Sequence, residues 1–469
     1  MTLTQIADAI QPHPDYRGWA ASLEMYRDLY SGGAQMKAKA SSYLYRRHRE
    51  PAEVYQERVS RAFYENYLGS IIDWYASTLF RREPIITVED SSSRATKYYY
   101  EFFGDCDRNG LSITDFLRKR FIDTLIFGKS YIALEFPKRE ASFSTRLEEE
   151  AFGADKGYLT AIHPLDVVNW KSTHDGKLTR LTIRLQSEDC ADGNHDDSKP
   201  LTRYLIYTET AYFIVEENSN EDKAIRIVEQ SLHCCSEEHR LPVFEIALSD
   251  GLWLMNKAAH LQLEHYNKSN SLSWSLGMAL YATPVVYSKR DWSTIIGESY
   301  YIHLDPEDKF GWTEPEGNVY RIAMENLARL QEEIYRTCYL MGQSRSWLSG
   351  SAQVSGNSKR ADYQITQEVL RAYGDTVKDT LKRVLQTLIR VRKDDLKISV
   401  SGLDEFEVGE FEDELDEAQK LLNLGLQSKT FRKQAFKKLA FKFLADINET
   451  TKERIAAEIE AQIDKGETE

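Results

Sequence analysis

Apolar residues recur every three or four positions along three stretches in the C-terminal half of this chain, which predicts three amphipathic helices. These stretches cover residues 255–277, 319–341 and 359–392. A segment rich in proline and aromatic residues (281–317) separates the first two, and a serine- and glycine-rich segment (344–358) separates the last two. Two helices joined by a small β-like module, followed by a loop and a long helix, are typical of a conduit or connector and unusual for an enzyme.

Upstream, the hydrophobic period changes from helical to strand-like near Gly128. Helical spacing predicts helices within residues 1–50 and one continuous helix from Pro51 to near Pro84, and it returns over residues 411–466. Further predicted helices are 95–103 and 113–127, and the predicted strands are 85–88, 130–136, 158–162, 178–185, 203–208, 212–215, 224–228 and 396–400. The sequence therefore predicts an α+β protein whose middle third is rich in antiparallel strands.

The chain has 469 residues, enough for two to four domains with a well-buried core. Its hydrophobic content of 42% and charged content of 29% are those of an ordinary soluble globular protein. Aromatic residues make up 12%, with 27 Tyr and 8 Trp, which suits either protein interfaces or a tyrosine-rich core. The net charge of −14 argues against tight DNA binding, although DNA could pass such a surface without adhering.

The N-terminus carries no basic segment followed by an apolar run, so we expect no secretory signal. No window reaches the roughly 18 consecutive apolar residues of a membrane span. The five cysteines show no regular spacing, which favours reduced thiols in a protein assembled in the cytosol. They are Cys106, Cys190, Cys234, Cys235 and Cys338.

Two short patterns could carry chemistry. Gly128-Lys129-Ser130 is similar to the end of a phosphate-binding loop, but Asp123 occupies the place of the first glycine. Because a helix precedes this pattern and a strand follows, a helix-to-strand turn is the favoured interpretation, and a nucleotide-dependent enzyme is a third alternative. His233-Cys234-Cys235 with His239 lacks the cysteine spacing of a zinc site. We predict no catalytic residues, metal site or cofactor.

The segment 344–358 contains Arg345 and Trp347, and Lys359 and Arg360 follow it directly. One interpretation is an exposed linker between two helices. The other is a mobile loop that projects into a cavity and brings its cations into transient contact with a polyanion. Composition alone does not decide between the two.

Two motifs and the order of the segments point to one family. The first motif has Tyr55, Arg58, Ala62 and Asn66 ahead of Leu79-Phe80-Arg81-Arg82-Glu83-Pro84. The second is His163-Pro164-Leu165-Asp166-Val167-Val168-Asn169-Trp170. Together with the order of helix, β module, helix, loop and long helix, they resemble the portal proteins of tailed bacteriophages. The resemblance covers residues 40–465.

The resemblance implies a portal fold of successive parts. These are an α/β wing (1–250), a stem helix (251–280), a β-containing clip (281–317), a second stem helix (318–343), a tunnel loop (344–358), a long kinked helix with a return strand to the wing (359–410) and a helical crown (411–469). Gly374 would mark the kink. The clip residues that would dock the motor and the adaptor are Pro284, Trp292, Pro306, Trp312 and Pro315.

The resemblance also implies a function without catalysis. Twelve copies would form a ring at the capsid vertex, nucleate procapsid assembly and pass double-stranded DNA without sequence specificity. The expected partners are the terminase large subunit, a head–tail adaptor, and the major capsid and scaffolding proteins. No association with a membrane is expected. The expected location is the virion, with the host cytoplasm during assembly.

In this family the tunnel loop faces the channel. We therefore predict that Arg345, Lys359 and Arg360 lie nearest the DNA and that Trp347 packs at the base of the loop. An alternative from another class is an acidic helical adaptor or scaffold that binds protein partners and never meets DNA. The mass of the purified particle discriminates between a ring and such an adaptor.

Overall fold

A computed structural model describes residues 1–90, 93–138, 148, 152–185, 201–218, 225–279, 283–287, 309–313, 317–341, 356–404, 406, 428, 430, 432–433, 436–437, 440 and 449–465. The chain divides into two units. The first comprises Met1–Ala352 and Glu368–Glu405, and the second comprises Gln353–Gln367 and Phe406–Glu469. The mixture of helices and antiparallel strands confirms the α+β prediction.

The described helices are α1 (Leu3–Ile10), α2 (Pro14–Ser31), α3 (Gly33–Ala38), α4 (Ala40–Tyr43), α5 (Ala52–Arg61), α6 (Tyr67–Leu79), α7 (Ser93–Gly104), α8 (Ile113–Phe127), α9 (Leu254–Ala279), α10 (Gly317–Thr337), α11 (Gly356–Arg392) and α12 (Glu449–Lys465). The described strands are β1 (Ile85–Asp90), β2 (Lys129–Glu135), β3 (Tyr158–Ile162), β4 (Val167–Ser172), β5 (Leu178–Leu185), β6 (Leu201–Thr208), β7 (Ala211–Asn218), β8 (Ile225–Leu232), β9 (Val243–Ala247), β10 (Thr283–Tyr287), β11 (Lys309–Thr313) and β12 (Leu396–Ser401).

All strand pairs are antiparallel among the described residues. Strands β4 to β8 form a five-stranded sheet in sequence order, and β3-β2-β9 form a three-stranded sheet. A buried cluster joins the two sheets, with Tyr131 and Ala133 from the smaller one and Leu181 and Tyr207 from the larger one. Strand β1 pairs with the distant β12, and β10 pairs with β11.

Helix α1 covers the five-stranded sheet. The side chains of Ile6 and Ile10 are buried against Phe213 and Val215 of β7. Burial of one such side chain contributes about 1.5–3 kcal/mol to folding. The helix begins with a capping box, in which the Thr2 and Gln5 side chains each bind the other's backbone N–H.

The continuous helix predicted from Pro51 is wrong, because α5 ends at Arg61 and α6 begins at Tyr67. The Asn66 side chain accepts a hydrogen bond from the Gly69 N–H, which caps the new helix. Residues 62–66 run extended between the two helices, and side chains of α9 satisfy backbone groups that a helix would have paired internally. A distant helix therefore overrides a local helical pattern here.

The other helix predictions agree with the structure within a few residues. The three C-terminal stretches correspond to α9, α10 and α11, and the segment between the first two contains the β10–β11 pair. The predicted strand 396–400 is β12. Of the helical region 411–466, α12 is described, and most of residues 411–448 lie outside the described part of the chain.

Candidate functional site

Helices α9 and α10 pack along each other, and the β10–β11 pair lies between them in sequence. Lys268 Nζ on α9 donates to Asn326 Oδ1 on α10 over 3.1 Å. Among the hairpin residues whose burial the structure describes, the buried ones lie at one end. In α9 the buried residues stop at Asn270, and in α10 the buried residues are Leu330 and Ile334. The distal halves of both helices therefore extend beyond the core of the first unit.

Apolar side chains are exposed on the distal part of α10. Val319, Ile322 and Met324 have exposed fractions of 65%, 55% and 53%. An α-helix turns by about 100° per residue, so Ile322 and Met324, two positions apart, project to roughly opposite flanks. Exposed apolar groups therefore lie on both flanks of the distal part of α10.

The buried part of α9 carries an amide ladder, which we define as Gln262, Asn267 and Asn270. The Asn270 side chain accepts from the Phe63 N–H over 3.0 Å and donates to the Phe63 carbonyl over 2.9 Å. Asn267 binds the Tyr45 N–H and the Tyr43 carbonyl in the same way.

Gln262 binds the Leu68 N–H and the Glu65 carbonyl. Each amide thus pairs with the N-terminal chain as a neighbouring β-strand would, and the ladder holds residues 43–68 against the hairpin. Sequence reasoning missed it. The available signal was a row of polar residues on an otherwise apolar helix face.

Glu65 and His265 lie beside this ladder. His265 is almost fully buried, and its Nδ1 lies 3.5 Å from Glu65 Oε2. Ser269 Oγ donates to the same carboxylate oxygen over 2.8 Å. Burial lowers the pKa of His265, and the nearby Glu65 carboxylate opposes this only in part. The ring is therefore neutral at pH 7.

Two tyrosines hold the base of the hairpin. Tyr75 Oη donates to the Cys338 carbonyl just after α10, and Tyr373 Oη donates to the Leu252 carbonyl just before α9, both over 2.7 Å. Their rings pack edge-to-face with centroids 5.6 Å apart. Burial raises the pKa of both hydroxyls well above the usual value, so both remain protonated donors. The pair joins α6 and α11 to the two ends of the hairpin.

Gly374 lies in the part of α11 that belongs to the first unit. A Cβ atom at this position would overlap the backbone carbonyl oxygen of Leu403. Helix α11 is assigned without interruption from Gly356 to Arg392. Close packing of Leu403 against this position explains why a glycine is needed there, and the kink at Gly374 stays a prediction.

The structure brings two of the predicted clip residues together, because Pro284 on β10 lies opposite Trp312 on β11 in the strand register. Lys359 and Arg360 lie in the first two turns of α11, and their side chains are outside the described set. The remaining predicted site residues lie outside the described residues altogether. These are Trp292, Pro306, Pro315, Arg345 and Trp347.

The phosphate-loop pattern is a helix-to-strand turn. Gly128 ends α8 with a φ of 80°, and Lys129 begins β2. A Cβ atom at Gly128 would come within 2.8 Å of the Trp253 ring. Lys129 Nζ lies between the rings of Trp19 and Trp170, 5.0 and 5.1 Å from their centroids. The lysine thus makes cation–π contacts with both rings, and its Nζ also lies 3.7 Å from Glu245 Oε1.

The His233 ring is fully engaged in its loop. Its Nδ1 accepts from the Cys235 N–H and its Nε2 donates to the Thr208 carbonyl. Neither nitrogen can ligate a metal without losing a hydrogen bond. Among the described residues, no group of three His, Cys, Asp or Glu side chains suits a metal ion. Within the same residues, no helix is both long and apolar enough to cross a membrane.

Neither a protein-family model nor a curated protein sequence matches this chain. Several solved structures show a similar arrangement. A chain from the neck of an empty gene transfer agent (GTA) particle, computed with C6 symmetry, has a TM-score of 0.45 and 14% identity over 79% of this chain and 90% of that one. A chain from the virion of a native GTA particle has a TM-score of 0.45 and 11% identity over 86% and 99% of the two chains.

A chain from the neck of a native GTA particle, computed with C12 symmetry, has a TM-score of 0.38 and 12% identity over 76% and 85% of the two chains. These three structural neighbours are neck and virion chains of phage-like gene transfer agents.

Proposed function

We propose that this chain is the subunit of a portal ring at the vertex of a phage capsid. Twelve copies form the ring, double-stranded DNA passes through its centre without sequence-specific contacts, and the chain itself performs no catalysis. The ring nucleates procapsid assembly with the major capsid and scaffolding proteins. It docks the terminase large subunit during packaging and a head–tail adaptor afterwards, and it remains in the virion.

The observation that carries this proposal is the distal hairpin with apolar groups on both flanks. Ile322 and Met324 are 55% and 53% exposed, so leaving them in water forgoes about half of the roughly 1.5–3 kcal/mol that full burial of such a side chain contributes. Neighbours on both sides would recover that energy. A face that contacts itself yields a dimer, whereas two different complementary flanks yield a closed ring or an open filament. The hairpin therefore favours a ring over a symmetric pair.

Two further features support the proposal. The tyrosine pair Tyr75 and Tyr373 and the amide ladder fix the hairpin to the body of the first unit, as a structural strut requires. The net charge of −14 per chain gives an assembled ring a negative overall field, which would weaken adhesion of DNA phosphates while the duplex moves. The motif and segment-order resemblance described above adds the portal assignment itself.

The test starts with the mass and the negative-stain image of the purified protein. We expect a large ring with a central hole. A stable monomer or dimer without a pore would contradict the proposal and favour the acidic adaptor.

A pair of variants tests the two-flank geometry. Ile322→Glu and Met324→Glu each place a charge on one flank, so each variant alone should remain monomeric. In a mixture, the intact Met324 flank of one variant can meet the intact Ile322 flank of the other, so dimers should form but no rings. Val228→Glu, which changes another exposed apolar residue on β8, is the matched control and should leave the rings intact.

If either hairpin variant forms rings as readily as the control, the hairpin is not the contact surface. Circular dichroism of each variant checks that the helices are retained.

A further inference from the structure

A short turn between α4 and α5, residues 45–49, is the feature that the ring proposal leaves unexplained. We call it the basic turn. All five of its residues are exposed, and it carries Arg46, Arg47, His48 and Arg49 in succession. Such a run contrasts with the net charge of −14 for the whole chain.

The backbone of the basic turn is held at both ends. Asn267 of the amide ladder accepts from the Tyr45 N–H over 2.7 Å, and both terminal nitrogens of Arg58 lie within 3.5 Å of the Tyr45 carbonyl. At the other end, Arg46 Nη2 donates to the Glu50 carbonyl over 2.8 Å. The five exposed residues of the turn, four of them basic, are thus presented on a fixed loop.

The carboxylate next to the turn is already neutralised. Glu50 and Arg58 form a buried ion pair with side chains 3% exposed, and Arg58 Nη1 lies 2.8 Å from each carboxylate oxygen. The Arg47 N–H donates to the same carboxylate. Although burial acts in the opposite direction, these hydrogen bonds hold the pKa of Glu50 below its usual value. Glu50 therefore stays ionised, and its negative charge is compensated chiefly by Arg58 and not by the exposed arginines of the turn.

Among the described residues, the Arg47 and Arg49 side chains make no hydrogen bond or close ion pair, and Arg47 acts on the Glu50 carboxylate only through its charge at longer range. Arg49 also has a φ of 70°, a conformation that costs a non-glycine residue about 1–2 kcal/mol. Glycine or asparagine would take this position at a lower cost. An arginine that bears backbone strain and has no internal partner is best explained by an external one.

From this turn we infer a binding site for the phosphate backbone of double-stranded DNA, independent of base sequence. Arginine and tyrosine side chains are common donors to phosphate oxygens, and Tyr45, 58% exposed, stands beside the arginines. The turn presents no helix that could enter a groove and read bases. In a chain this acidic, binding is weak and sensitive to salt, which suits a transient guide. The inference holds whether or not the chain closes into a ring.

The test is fluorescence anisotropy of a short labelled DNA duplex with the full-length protein. The variant Arg47→Gln/Arg49→Gln removes two cations and keeps the hydrogen bonds from Arg46 to the Glu50 carbonyl, which hold the turn. Two phosphate contacts account for a roughly twelvefold fall in DNA affinity between 50 and 200 mM salt. Over this range, the affinity of the variant should therefore fall about twelvefold less than that of the unchanged protein. Arg47→Lys/Arg49→Lys keeps the charge and should retain most of the binding.

The matched control is Lys171→Gln/Lys177→Gln, which removes two exposed cations from the β4–β5 hairpin. It should bind DNA as the unchanged protein does. Equal loss in both double variants would mean that general charge, and not the basic turn, attracts DNA. Binding of poly-glutamate in place of the duplex would instead identify an acidic protein segment as the partner, and either result overturns the inference.

Particle mass, measured on the same samples, keeps the two proposals separate. Rings that form normally while DNA binding is absent count against the basic turn alone. Monomers that bind DNA through the basic turn count against the portal ring alone.

Discussion

The backbone carbonyl oxygen of Leu403 lies against Gly374, in the space that the Cβ atom of any other residue at position 374 would take. Alanine is the better helix former by about 1 kcal/mol, so propensity alone predicts that Gly374→Ala is stabilising. We expect the opposite, because the overlap involves backbone atoms that cannot rotate away. The free energy of unfolding from urea titration should fall by about 1–3 kcal/mol.

Gly18 in α2 provides the matched control. No atom lies within 4 Å of a Cβ built at this position, so Gly18→Ala should leave stability unchanged or raise it by up to about 1 kcal/mol. If Gly374→Ala behaves like Gly18→Ala, the close approach of Leu403 is not rigid.

Removal of one rung of the amide ladder should be costly. Asn270→Ala leaves both the Phe63 N–H and the Phe63 carbonyl without the side-chain partner that now satisfies them. Both groups are only partly buried and Phe63 is 41% exposed, so water replaces part of the lost bonding, and the free energy of unfolding should fall by about 1–3 kcal/mol. Ser273→Ala, three residues further along α9 and exposed, should change it by less than about 0.5 kcal/mol. A loss as small as that of Ser273→Ala would contradict the ladder.

The two buried hydroxyls at the base of the hairpin can be removed without disturbing the edge-to-face rings. Tyr75→Phe and Tyr373→Phe each leave one helix-end carbonyl without its donor, which should cost about 1–3 kcal/mol. Tyr100→Phe, at an exposed tyrosine, is the control and should have little effect. Thermal unfolding followed by circular dichroism measures the difference. Equal melting temperatures for all three variants would show that these bonds do not stabilise the hairpin.

Stability should depend on the protonation of His265. Burial lowers the pKa of His265 in the folded protein. As the pH falls below the ordinary histidine value of about 6.5, His265 of the unfolded chain is therefore protonated at a higher pH than His265 of the folded chain. Acidification from neutral pH therefore favours unfolding, with a slope of up to about 1.4 kcal/mol per pH unit for one proton.

His163 and His233 also have pKa values lowered by burial, so the total slope contains their contributions. The difference between the unchanged protein and His265→Gln isolates the contribution of His265. Urea titrations between pH 5 and 7 should show a shallower pH dependence for the variant. Parallel curves for the two proteins would show that His265 does not titrate on unfolding.

The elements that define the candidate site were largely predictable. Helices α9, α10 and α11 and strand β12 follow from spacing along the chain, because helical and strand periods are properties of the local backbone. The turn at Gly128 was predicted for the same reason, since a helical pattern ends there and a strand pattern begins. The exposed apolar flanks of α10 were not, because spacing alone cannot show where the buried core ends.

Only the tertiary structure decided which distant segments pair with each other. The pairing of β1 with β12, the break between α5 and α6 and the amide ladder all join segments that no local window contains. In each case a distant element supplies the hydrogen-bond partner of a backbone group that has none within its own segment. The sequence by itself determined most of the helices and strands, through the periodicity of their apolar residues, but not the break between α5 and α6 or the strand β9. The tertiary structure decided their partners, because buried polar groups must be satisfied wherever the folded chain provides a donor or an acceptor.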